Sequence, residues 1–371
     1  MSPAPHTPAQ GPSRAVERWL LVTYAMVMLL VAVGGITRLT GSGLSITEWR
    51  PIMGALPPMS HAEWERAFAL YRETPQARLE NAWMTMSDFQ GIFFWEYLHR
   101  LLARLLGVVF AVPAAYFVWR GELRGRWLGR AGVALALGGA QGLMGWLMVA
   151  SGLVDEPRVS PYRLAAHLGL AFVIGHYLLW LALERRAERR GPPTLGAARG
   201  ERWVALAYLA LVALQVVFGA LMAGSRAGHM YATFPDMHGA YVVTGVDYWR
   251  DPAGIHFVHR TLGWAVTLGA LATAAYWRLA ARARAELGGR SVVAAWATPA
   301  LVGVALAQLA LGAFTVLSHV RPPIAVAHQL GAWLVVSTLV SALHGMRRPR
   351  SATARPDAHT RVGPQGLDAA A

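Results

Sequence analysis

Phe94-Trp95-Glu96-Tyr97-Leu98-His99-Arg100 stands at the head of a long apolar run. It sets a carboxylate, a histidine and an arginine where a lipid-embedded segment tolerates them least. A second His-Arg pair, His259-Arg260, follows 160 residues later in a similar setting. Two further histidines, His167 and His328, are separated by 161 residues, almost the same interval. The spacing reads as a duplication in which each copy carries two histidines.

Apolar runs of about 18 residues or more are candidate membrane spans. The 371-residue chain, 55% hydrophobic and 15% charged, holds eight of them, at 19–38, 91–119, 131–151, 163–183, 203–224, 254–277, 292–318 and 324–344. The expected fold is an all-α integral membrane protein whose eight transmembrane helices form two pseudo-symmetric four-helix bundles. The halves are 19–183, with a large outer loop at 39–90, and 203–344. A cytoplasmic linker at 184–202 joins them, and disordered cytoplasmic tails occupy 1–18 and 345–371.

The net charge of +14 comes from arginine alone, since the chain has no lysine. Arginines cluster in alternate loops: Arg120, Arg124, Arg126 and Arg130; then Arg185, Arg186, Arg189 and Arg190; then Arg278, Arg282, Arg284 and Arg290. Arg14 and Arg18 precede the first span, and Arg347, Arg348 and Arg350 follow the last. Such alternation places both termini in the cytoplasm. It is not the one-faced basic patch of a nucleic-acid binder. The absence of cysteine excludes disulfides and thiolate chemistry.

Local signals organise the rest. Ser60–Tyr71, with Trp64, Ala67, Phe68 and Tyr71 on one face, reads as an amphipathic helix on the membrane surface. Ser87 and Gln90 read as a capping box opening the second span. Span three carries Gln141-Gly142-Leu143-Met144-Gly145 and span seven Gln308-Leu309-Ala310-Leu311-Gly312, both Gln-x-x-x-Gly. Two copies of an even number of spans share orientation and form parallel repeats.

The four histidines lie at matched depth. His167, His259 and His328 are about five residues into their spans and His99 about eight, roughly 6–12 Å below the outer surface at 1.5 Å per residue. Pairing within each half, His99 with His167 and His259 with His328, gives two imidazoles on facing helices. That arrangement suits axial ligation of a haem iron from both sides. Other histidines fit less well. Nine helical steps put His176 on the face opposite His167, His344 lies at the cytoplasmic end, and His229, His238 and His319 lie in or beside outer loops. His256, one turn above His259, is the one competitor. Arg100, Arg260, Arg38 and Arg226 are candidates for pairing with haem propionates. Glu96 shares a helical face with His99, and the second half has Ile255-His256 there instead of a carboxylate. One half alone thus carries a reactive acid.

Gly34-Gly35-Ile36-Thr37-Arg38-Leu39-Thr40-Gly41-Ser42-Gly43-Leu44-Ser45, Glu48-Trp49-Arg50-Pro51, Gly54-Ala55-Leu56-Pro57-Pro58 and Glu96-Tyr97-Leu98-His99-Arg100 closely resemble the haem A synthase family, in its mitochondrial and alphaproteobacterial subtype. The resemblance spans about residues 19–345. It implies an oxidoreductase of the bacterial inner membrane that converts haem O to haem A for cytochrome oxidase, oxidising one ring methyl to a formyl group. It implies that His99 and His167 flank the substrate haem, that His259 and His328 hold a haem b cofactor, and that Glu96 stands near the reacting methyl. Haem O synthase and cytochrome oxidase assembly factors are the partners it suggests, beside the lipid bilayer, with no nucleic acid and with an electron donor left unnamed. Some relatives carry a cysteine pair in an outer loop, a role closed to this chain. Two other readings stand beside this one: a di-haem membrane cytochrome b that only passes electrons, and a non-catalytic haem carrier or assembly factor.

Overall fold

The computed structural model describes residues 13–48, 53–153, 157–190, 199–286 and 292–347. Most of the two expected tails, the middle of the linker, and the Trp49-Arg50-Pro51 part of the outer-loop motif lie outside these residues. Among those described there is no strand, only one isolated bridge between Met237 and Ala240.

Among the described residues the chain forms ten α-helices. They are α1 (Arg14–Leu39), α2 (His61–Arg72), α3 (Pro75–Leu79), α4 (Met86–Trp119), α5 (Arg126–Ala150), α6 (Pro161–Arg190), α7 (Arg199–Gly224), α8 (Pro252–Glu286), α9 (Val292–Leu317) and α10 (Pro322–Gly345). Among the described residues seven of them, α1, α4, α5, α6, α7, α9 and α10, are long and apolar enough to cross a membrane. α8 has the length, with 35 residues, but its apolar stretch is bounded by Arg260 and Arg278 and it is not among the seven. α4, α5, α8 and α9 expose large side chains such as Val108, Val112, Leu135, Leu268 and Phe314, as lipid-facing surfaces do.

Proline opens α6, α8 and α10, at the one helical position where its missing N–H costs nothing. α4 starts earlier than the apolar pattern indicates. Its N-cap is Thr85, whose hydroxyl accepts from Asp88 N while Asp88 caps the Thr85 N–H. The expected Ser87–Gln90 box is therefore displaced by one that opens the helix at Met86. This five-residue extension is polar outside but buries Phe89 under α2, with Phe93 one turn further along α4.

α2 forms as expected, with Ser60 and Glu63 in a capping box. Its apolar face does not lie on lipid. Trp64 packs edge-on to Phe93 at 5.0 Å, and Tyr71 stacks on Phe89 at 5.2 Å. The α4 extension supplies the apolar partner that a bilayer would otherwise have been.

Around this, α1 packs on α4 and α6, and α5 on α6; α8 packs on α7 and α9, and α9 on α10. Between these sets run the contacts of α6 and α1 with α10, and of α6 with α7. At the α1–α6–α10 junction Trp333 is fully buried, and its indole N–H donates to Tyr24 Oη at 2.8 Å. The Tyr24 hydroxyl also meets Ser337 Oγ at 2.7 Å, and His176 Nε2 lies 3.1 Å from that Ser337 Oγ. Gly175 leaves room for the indole: a methyl group there would fall 2.1 Å from Trp333 Cη2.

Candidate functional site

Each of the four paired histidines lies on a helix that follows a glycine-bearing one. The helix glycine faces the ring: Gly34 (α1) faces His99 (α4), Gly145 (α5) faces His167 (α6), Gly219 (α7) faces His259 (α8) and Gly312 (α9) faces His328 (α10). A β-carbon built on any of these glycines would lie 3.0–3.1 Å from the histidine Cε1. His259 and His328 are brought together, with ring centroids 6.3 Å apart and planes at 87°. That gap accommodates one metal centre between the rings, with imidazole–metal bonds of about 2 Å on each side. His99 and His167 stand on α4 and α6, each against its own glycine. Nδ1 of all four rings is buried without a hydrogen-bond partner. Among the described residues no three His, Asp or Glu side chains converge as a metal cage, so the histidines are available as pairs. Paired, half-buried imidazoles whose buried Nδ1 atoms have no partner fit a planar macrocycle ligated from both faces.

The Gln-x-x-x-Gly repeat has a job that its sequence did not reveal. Gln141 Nε2 donates to the His167 carbonyl at 3.1 Å and lies 3.3 Å from its ring Nε2. Gln308 Nε2 donates to the His328 carbonyl at 2.9 Å. Gln215, four residues before Gly219, is a third instance, and it reaches toward Gly263 on α8. The repeat in α5 and α9 was visible; that glutamine grips a histidine backbone while glycine meets its ring was not. The signal was the common spacing from Gln to Gly in α7 as well.

Glu96 is 3% exposed and fully engaged. Its Oε2 accepts from Ser45 Oγ at 2.6 Å and Ile46 N at 2.9 Å, and its Oε1 from Arg100 Nη2 at 2.6 Å. Arg100 also donates to the Ile46 carbonyl at 3.0 Å. Tyr97 Oη donates to the Ala55 carbonyl, and Gln76 Nε2 to that of Gly41. The outer loop is thus fastened onto the head of α4 through Glu96 and Arg100. Sequence reading named neither Ser45 nor Ile46 as a Glu96 partner, because they lie 50 residues away along the chain.

The second half answers with different chemistry at the same place. His256 stands three residues before His259 as Glu96 does before His99, and its Nε2 accepts from Arg260 Nε at 3.0 Å. Arg260 further donates to the carbonyls of Asp236 at 2.6 Å and Tyr231 at 3.2 Å. His256 is therefore spent on Arg260. Asp236, in the outer loop, is held below the usual carboxylate range chiefly by the Gly239 N–H.

The remaining candidates separate. Arg226, in a left-handed conformation, pairs with Glu80 at 3.3 Å, and Glu80 also binds Arg158 at 2.7 Å. Arg38 lies near Arg226 and the outer-loop His229. Burial first, then these two arginines and His319, push His229 below its ordinary value. His176 donates or accepts at both ring nitrogens within the helix junction, and His344 packs edge-on to Trp180 at 5.1 Å.

The fold and site define a multi-pass helical membrane protein with paired, half-buried histidines near one end. Its sequence matches the family model described as cytochrome oxidase assembly protein over residues 17–340. It is 43% identical to the haem A synthase of Maricaulis maris (strain MCS10) over 344 residues, 91% of this chain and 97% of that one. It is 42% identical to the haem A synthase of Caulobacter sp. (strain K31), with the same coverage. It is also 42% identical to that of Rhodospirillum centenum (strain ATCC 51521 / SW), over 93% of each chain. The chain belongs to the haem A synthase family of cytochrome oxidase assembly proteins, and is an enzyme of the oxidoreductase class.

Proposed function

We propose that this chain oxidises a ring methyl of haem O to a formyl group, giving haem A for cytochrome oxidase. Its eight long helices form two four-helix halves, 19–183 and 203–344, in the inner membrane with both termini cytoplasmic. The first half receives haem O between His99 and His167. The second half holds haem b between His259 and His328. The observation that carries this reading is the repeated pairing of a helix glycine with an imidazole whose buried Nδ1 has no partner.

Bound haem b supplies one-electron redox chemistry. The chain supplies position and electrostatics. His99 and His167 would hold the substrate in the first half, and His259 and His328 would hold haem b in the second. The outer loop, pinned by Ser45, Ile46 and Gln76, keeps water from the first half. Both oxygens of Glu96 already hold donors, so it offers a negative charge at a fixed place and not a free proton acceptor. That charge stabilises positive charge developing at the reacting carbon. Arg38, near Arg226 at the outer mouth, is the arginine best placed for a propionate, since Arg100, Arg226 and Arg260 are engaged elsewhere. Haem O synthase, cytochrome oxidase assembly factors and an electron donor are the partners this reading calls for.

The test is the pigment of the purified protein, extracted and resolved by chromatography. Haem B together with haem O or haem A is expected. Haem B alone would overturn the synthase reading in favour of a di-haem cytochrome b.

A further inference from the structure

We propose that Gly34, Gly145, Gly219 and Gly312 are positioning residues: each is a steric seat that sets the plane of the imidazole on the following helix. The inference rests on the reading of these histidines as axial ligands. The terminal torsion of histidine is broad, so its own rotamer preference leaves the ring plane loosely set. A metal-bound histidine is ordinarily oriented by a hydrogen bond from its second nitrogen. Here Nδ1 of His99, His167, His259 and His328 is buried with no such partner. The backbone carbonyls of Gln215 and Gln308 face the rings of His259 and His328, but neither meets the length and angle of a hydrogen bond to Nδ1. Contact is what remains, and all four rings have the same one.

The contact is selective. At each seat a β-carbon would sit 3.0–3.1 Å from Cε1 and 3.5–3.6 Å from Nδ1, so an added methyl group displaces or turns the ring. The other glycines of α5 and α9 meet nothing, and those of α1 and α7 meet no histidine: Gly35 faces Gln329, Gly200 faces Tyr276 and Gly224 faces Pro161. Gly138, Gly139 and Gly142 in α5 and Gly303 in α9 have open space where a β-carbon would go. Helix flexibility would not single out these four positions, and close packing by itself would not put a histidine ring against each. Gln141 and Gln308, one turn before two of the seats, fix the backbone from which the ring hangs, so there the seat and the grip together leave the imidazole one orientation. In the second half that orientation places the two ring planes at 87° to each other.

The test uses the full-length, haem-loaded protein purified from membranes. The low-spin ferric haem resonance, read by electron paramagnetic resonance, depends on the angle between the axial ring planes. Gly312→Ala and Gly219→Ala are expected to shift the haem b resonance while haem B content stays near parental. Gly303→Ala is expected to leave both unchanged. A parental resonance in both seat variants, or an equal shift in Gly303→Ala, overturns the seats. If one seat variant fails to accumulate, the other reads the same haem from its opposite face. His259→Ala separates the two ideas: loss of haem B with parental resonances in the seat variants overturns the seats alone. Unchanged haem B in His259→Ala overturns the ligand assignment, and the seats with it.

Discussion

Glu96 carries the sharpest residue-scale prediction. Glu96→Gln keeps the size of the side chain and one acceptor oxygen but removes the charge that meets Arg100, Ser45 and Ile46. A preorganised charge in a water-poor site is worth several kcal/mol to a developing cation, and each 1.36 kcal/mol is about tenfold in rate. Haem A formation is expected to fall by about a hundredfold or more, with haem O or a hydroxylated intermediate accumulating and haem b retained. Chromatography of the extracted pigment reads this directly; a parental rate would reduce Glu96 to a fastener of the outer loop. The second-half histidines give the complementary case. His259→Ala or His328→Ala removes one of two rings 6.3 Å apart, and is expected to abolish the haem b absorbance while the protein still inserts. Unchanged haem b in both variants would remove the cofactor assignment.

At the scale of elements, the junction of α1, α6 and α10 is held by fit and by a small polar knot. Helices in lipid gain little from apolar burial against each other, so packing and interhelical hydrogen bonds decide the association. Ser337 meets both Tyr24 and His176, which makes Ser337→Ala a test of the knot. Its expected cost is about 0.6 kcal/mol, the usual scale for such bonds in membranes. Gly175→Ala forces a methyl group into the buried Trp333 indole and is expected to cost more, about 1–3 kcal/mol or beyond, as overpacking does. Thermal melts in detergent should rank parent, Ser337→Ala and Gly175→Ala in that order. The reverse order of the two variants would mean that the indole moves aside freely.

For the whole molecule, the arginine clusters predict orientation. Reporters fused after Arg190 and after Arg347 should both read cytoplasm, and a periplasmic signal from either would mean a miscounted span. Several of these arginines are also structural: Arg130 and Arg347 share Glu184, Arg189 binds Glu17 and Arg284 binds Glu201. Charge bias and folded ion pairs therefore favour the same end of the molecule.

The sequence by itself determined the helical class, the membrane character of most long helices, the four-histidine repeat and the asymmetry at Glu96. These follow from local rules: hydropathy over a run of residues, and spacing along one helix face. It did not determine that α4 begins at Met86, because the competing Thr85–Asp88 cap is as plausible locally as the Ser87–Gln90 one; the burial of Phe89 and Phe93 under α2 favours the earlier start. Nor could it show that α2 turns its apolar face to protein, since amphipathicity says which face is buried but not against what. Only the tertiary structure decided the partners of Glu96 and Arg260, which come from loop residues about 25–50 positions away along the chain. It alone decided that each histidine meets a glycine. A glycine has no side chain by which a sequence can signal a contact, and the seat exists only once two helices are laid side by side.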